Sequence, residues 1–164
     1  MQNLSKKRFS SPPGQAADRA TVFVHPEPAP RRVRVWPVFL PHAGCPGRCV
    51  YCAQRLQTGT GAARPEAMLV ELDAALGAAL AQGRGPYEIG FYGGTFTALP
   101  QDVAGRFVAL ADVYRKRGLV SRVRCSTRPD AVSPGRLAAL RELGLDMVEL
   151  GVQTFDSGVL AASG

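Results

Sequence analysis

The order of local patterns along the chain constrains its fold more than any other feature. Val33-Arg34-Val35-Trp36-Pro37-Val38-Phe39-Leu40 is rich in β-branched and aromatic residues and reads as a strand. Pro37 cannot donate to a ladder, so it predicts an edge position or a break. Residues 65–82 follow a helical period. Pro65 suits the first turn, Met68, Leu69, Leu72, Leu76 and Leu80 recur on one side, and Gly83 and Gly85 close the run. Glu88 to Tyr92 is a second strand running into Gly93-Gly94-Thr95. Pro100 opens a second helix with Val103, Phe107, Leu110 and Tyr114 on one face. Arg115, Lys116 and Arg117 stand at its end, the sign favoured at a helix C-terminus, and Gly118 follows. Val120 to Thr127 is a third strand. Ser133-Pro134 supplies a cap and a first-turn proline for a third helix, lined by Leu137, Leu140 and Leu143 and ended by Gly144. Met147 to Val152 is a fourth strand. Such alternation predicts an α/β fold with a parallel sheet and right-handed crossovers. An open doubly wound sheet and part of a β/α barrel both satisfy it, and both bind ligands at the C-terminal ends of their strands.

At 164 residues the chain is the size of one domain, given a typical size of about 150. Residues 1–32 read as a basic, Pro-rich, irregular arm, with His25-Pro26-Glu27-Pro28-Ala29-Pro30 a stiff extended linker, and residues 33–164 as the ordered part. The net charge of +7 is uneven. Residues 1–60 carry nine basic groups against two acidic ones, and the remainder carries eleven of each. A basic arm suits phosphate-bearing partners or a solvated leader. No apolar run reaches the roughly 18 residues of a membrane span, and no secretory signal follows Lys6, Lys7 and Arg8. No membrane association is expected.

Three of the four cysteines, Cys45, Cys49 and Cys52, fall within eight residues, and Cys125 stands alone in a strand as a small core residue. Without a secretory signal, a disulfide framework is the weaker reading and a reducing, cytoplasmic setting the better one. Clustered thiolates are soft ligands for zinc or for iron–sulfur clusters. A structural zinc takes four ligands, which His42 with the three cysteines would supply in a nucleic-acid-binding module. An iron–sulfur cube usually takes four cysteines, so three leave one iron open to a substrate. Every unusual segment follows a strand: the cysteines the first, Gly93-Gly94-Thr95 the second, Ser126-Thr127-Arg128-Pro129-Asp130 the third and Gln153 the fourth. A parallel sheet would gather them on one rim.

Cys45-Pro46-Gly47-Arg48-Cys49-Val50-Tyr51-Cys52 resembles the CxxxCxxC signature of the radical S-adenosylmethionine (SAM) superfamily, with Tyr51 at the aromatic position between the last two cysteines. The resemblance continues in order through Phe91 to Thr97, Ser126 to Asp130 and Glu149 to Asp156. These segments look most like the radical SAM domain of the Elongator catalytic subunit and its bacterial relatives, over about residues 33–164. The likeness implies a parallel (β/α) partial barrel, with about four of the usual six strands present, and hence an expectation that the chain is a C-terminally shortened fragment.

Roles follow from the resemblance. Cys45, Cys49 and Cys52 would ligate three irons of a [4Fe–4S] cluster, and the SAM amino and carboxylate groups the fourth. Gly93, Gly94 and Thr95 resemble the loop that holds the SAM amino group. Gln153 would contact the nucleoside, and Tyr51 would pack on adenine or the cluster. Ser126 stands where several relatives carry an acidic residue that reaches SAM, and it brings no charge. Arg128 and Asp130 would pair with each other or reach SAM or the substrate. The implied enzyme reductively cleaves SAM to a 5′-deoxyadenosyl radical that abstracts hydrogen from a substrate. Its implied electron donor is a flavodoxin or ferredoxin, and tRNA is a substrate class compatible with the basic arm.

Overall fold

The computed structural model describes residues 33–54, 56, 59, 61 and 63–163, so the arm at 1–32 lies outside the described residues. Four strands, β1 (Arg34–Phe39), β2 (Tyr87–Tyr92), β3 (Val120–Thr127) and β4 (Met147–Leu150), form one sheet in the order β1-β2-β3-β4. Every neighbouring pair is parallel. Among the described residues one longer α-helix follows each strand: α1 (Pro65–Ala81), α2 (Gln101–Lys116), α3 (Pro134–Glu142) and α4 (Ser157–Ser163). Strand order equals chain order, so each crossover steps the same way across the sheet. A doubly wound sheet reverses its order at a switch point, and this one does not. The architecture is an open, partial β/α barrel.

One core joins sheet and helices. Ile89 and Phe91 of β2 and Val123 and Cys125 of β3 are fully buried with Leu76 of α1, Phe107 and Val108 of α2 and Leu140 of α3. Phe91 stacks on Phe96 at 4.8 Å and meets Phe107 edge-on at 5.6 Å. Each such ring contributes roughly 1.5–3 kcal/mol by leaving water. The helical faces are as the period predicts, with Leu69, Leu72 and Leu76 buried on α1 and Phe107 and Tyr114 on α2. Ser133 caps α3, its hydroxyl accepting from Arg136 N at 3.3 Å. Pro37 does lie in a strand at the edge of the described sheet.

Three expectations need correction. β4 stops at Leu150 rather than Val152, because Gly151 N turns to donate to Thr127 O and the chain then enters the left-handed conformation at Gln153. Leu143 does not line α3: it caps the helix and is 40% exposed. Helix α4 was not foreseen, since seven residues are too few for a period to register; Asp156 Oδ1 accepts from Val159 N at its start.

The other face of the sheet is polar. Glu88 on β2 and Glu149 on β4 flank Arg124 on β3, at 3.0 Å and 2.7 Å. The Tyr92 ring covers the same guanidinium at 5.5 Å. Alternation along β3 places Arg122, Arg124 and Ser126 here, and Val123, Cys125 and Thr127 against the helices.

Candidate functional site

A cleft of about 870 Å³ opens at the C-terminal ends of the four strands. The loop after β1 contributes Cys45, Cys49, Tyr51 and Cys52, and the loop after β2 contributes Gly93, Gly94 and Thr95. Ser126, Arg128 and Asp130 line it from the end of β3, and Gln153 from beyond β4. Parallel strands carry residues more than a hundred positions apart to one rim, so all nine predicted site residues meet.

The first two loops are stitched together by backbone. Leu40 N donates to Tyr92 O at 2.7 Å, His42 N to Gly93 O at 2.8 Å and Thr95 N to Ala43 O at 2.9 Å. This seam extends the β1–β2 ladder past the strands and holds the cysteine loop against the glycine loop. Two glycines make the approach possible. A Cβ on Gly94 would stand 2.3 Å from Ala43 O and 2.8 Å from Leu40 O. One on Gly44, whose φ is +74°, would stand 2.4 Å from Thr95 O. Neither gap admits a side chain. Gly93 O already accepts from His42 N, which leaves its second lone pair for a ligand.

The three cysteines are half-buried and form no disulfide, and Cys125 is a buried cysteine likewise outside any disulfide. Burial pushes the Cys125 thiol up to about 12, so it stays protonated and inert, as its place in β3 implies. Cys45 Sγ lies 3.3 Å from Thr95 Oγ1. Tyr51 is half exposed, and its hydroxyl bonds the Cys49 side chain, the main reason its pKa rises. Among the described residues, no three His, Cys, Asp or Glu side chains converge where one ion could sit. The geometry therefore gives no support to a zinc site built from His42 and the cysteines. Thiolates binding separate irons of one cube need not converge on a point.

The β3 end is held from behind. Thr127 Oγ1 lies 2.6 Å from Thr97 Oγ1, Thr97 donates to Ala131 O at 2.6 Å, and Arg136 donates to Thr97 O and Leu99 O. Arg128 grips Asp130 through two bonds of 2.9 Å, which hold the Asp130 carboxyl below its usual range. That pair is the structural alternative left open by the sequence. Gln153 is an exposed non-glycine residue at φ 66°, a conformation that functional sites often retain despite its cost.

Sequence reasoning missed Glu149. Ser126 Oγ donates to Glu149 Oε2 at 3.1 Å, and Glu149 itself lines the cleft. The negative charge absent at position 126 thus stands one strand away. Only the β3–β4 register, which pairs Ser126 with Glu149, reveals it.

Comparison with curated proteins returns no match. The family model described as the Radical SAM superfamily matches residues 39–164. That span contains the cysteine loop, the glycine loop and both later strand ends, and the chain belongs to the radical SAM superfamily.

Proposed function

We propose that this protein is a radical SAM enzyme that holds a [4Fe–4S] cluster on Cys45, Cys49 and Cys52 and binds SAM across the same cleft. The supporting observation is the placement of three cysteines, none in a disulfide, on one wall of a cleft that Gly93 to Thr95 and Gln153 also line. The donor set fits the cluster: three soft ligands on a loop with no fourth cysteine in reach, since Cys125 is buried in β3. Family members generally bind this cluster and SAM, and the bound pair supplies one-electron cleavage of SAM to methionine and a 5′-deoxyadenosyl radical.

The chain's own residues bind and orient. The Gly93 carbonyl and the carboxylate of Glu149, steadied by Ser126 and Arg124, offer acceptors and negative charge to the SAM ammonium. Gln153 offers an amide that both donates and accepts toward the nucleoside. Tyr51 presents an exposed ring for stacking.

The reading includes a one-electron donor such as flavodoxin or ferredoxin. It extends to a tRNA substrate, which the excess of positive charge in residues 1–60 supports. Cys49→Ser tests the core of it. Anaerobic reconstitution of that variant should leave iron and sulfide well below the wild-type content, and wild-type iron in Cys49→Ser would remove the cluster assignment. Neutralising Lys6, Lys7 and Arg8 together should flatten the salt dependence of tRNA binding, and an unchanged slope would reject the arm's role.

A further inference from the structure

Thr95 is 1% exposed, and among the described residues no backbone carbonyl accepts from its hydroxyl. Among the described residues its one hydrogen-bond partner is Cys45 Sγ, at 3.3 Å. The contact is over-determined by its surroundings. Thr95 N is tied to Ala43 O, His42 N to Gly93 O, and Gly44 lies flat against the Thr95 carbonyl. Neither partner can move away without opening the seam between the two loops.

As a free thiol, Cys45 could donate or accept in this bond. An iron-ligating thiolate has no proton and can only accept. The hydroxyl of Thr95 must then be the donor, and burial keeps water from competing with it. A donor aimed at a thiolate sulfur favours the more negative, reduced state of an iron–sulfur centre.

We infer that the Thr95 side chain, through an O–H···S bond to Cys45, sets the reduction potential of the cluster that the cysteine loop holds. It is a positioning and tuning residue, apart from any contact its backbone makes to SAM. The inference rests on the cluster assignment proposed above. The redox step is a one-electron uptake from a chemical reductant such as dithionite, and no bond to Thr95 forms or breaks.

Thr95→Val keeps the side-chain shape and deletes only the donor, and Thr95→Ser restores the donor. Wild type and both variants would be reconstituted anaerobically without SAM, assayed for iron and sulfide, and titrated against redox mediators with the reduced cluster read by electron paramagnetic resonance. A hydrogen bond's net contribution of about 1 kcal/mol limits the effect. At a fixed potential the ratio of reduced to oxidised cluster should fall about threefold to tenfold in Thr95→Val. Tenfold corresponds to about 59 mV for one electron. Thr95→Ser should return toward wild type. Equal potentials in wild type and a cluster-loaded Thr95→Val would overturn the tuning role and leave the cluster intact. A wild-type protein that assembles no cluster would overturn the parent reading instead. Should Thr95→Val lose its cluster, Thr95→Ser decides alone: wild-type potential and loading in Ser support the bond, and loss in Ser as well refutes it.

Discussion

Replacing Gly94 with alanine should open the seam on which the site depends. The added Cβ would stand 2.3 Å from Ala43 O, 2.8 Å from Leu40 O and 2.9 Å from Ala43 N. All three are backbone atoms, so no flexible side chain can swing aside. Overpacking of this kind costs about 1–3 kcal/mol. Pulling the loops apart also threatens the Thr95 N to Ala43 O bond, worth about 1 kcal/mol more. The sum is about 2–4 kcal/mol against a typical total stability of 5–15 kcal/mol, enough to lower Tm by roughly 10 °C. Gly47 is the internal control. It lies between the first two cysteines, and a Cβ there would meet nothing within 4 Å. The assay is thermal unfolding by circular dichroism of both variants, followed by iron content after reconstitution. Gly94→Ala should melt well below wild type and load less iron, with Gly47→Ala close to wild type in both. A Gly94→Ala protein as stable and as iron-loaded as Gly47→Ala would refute the reasoning.

Two further outcomes follow from the sheet. Glu88 is 3% exposed beside Arg124, and removing one member of a buried pair costs about 3–5 kcal/mol; Arg124→Ala should therefore destabilise strongly in urea, with Glu88→Gln recovering part, and a loss below about 1 kcal/mol would contradict the burial argument. The Cys125 thiol is raised from 9.0 to about 12 by burial, so between those pH values the unfolded chain has lost a proton that the folded chain keeps, and stability must fall as pH rises; Cys125→Ala should lose less stability than wild type over that window, and parallel pH profiles would reject the shift.

Much of the fold was legible because the chain obeys local rules closely. The leucines of residues 65–82 carried a clear period, Ser133-Pro134 marked a helix start, and Pro37 marked an edge. Barrel or doubly wound sheet could not be decided from alternation, since both share it. Strand order decides, and strand order is a long-range property. The cysteine and glycine loops were legible as unusual chemistry, but not their backbone seam, because hydrogen bonds between residues 40–43 and 92–95 leave no trace in composition. Glu149 was hidden by the same limit. It is an ordinary strand residue until the register sets it beside Ser126. The end of β4 was misjudged since nothing in Gly151-Val152-Gln153 announces a left-handed turn at a glutamine.

The central claim is that this cleft assembles a cluster and cleaves SAM with it. The direct measurement is anaerobic reconstitution with iron and sulfide, reduction with SAM present, and quantification of 5′-deoxyadenosine. The account predicts iron and sulfide in the proportions of a cube, together with 5′-deoxyadenosine that depends on reductant. Zinc bound with no cluster formed, or a cluster that never yields 5′-deoxyadenosine, would contradict it.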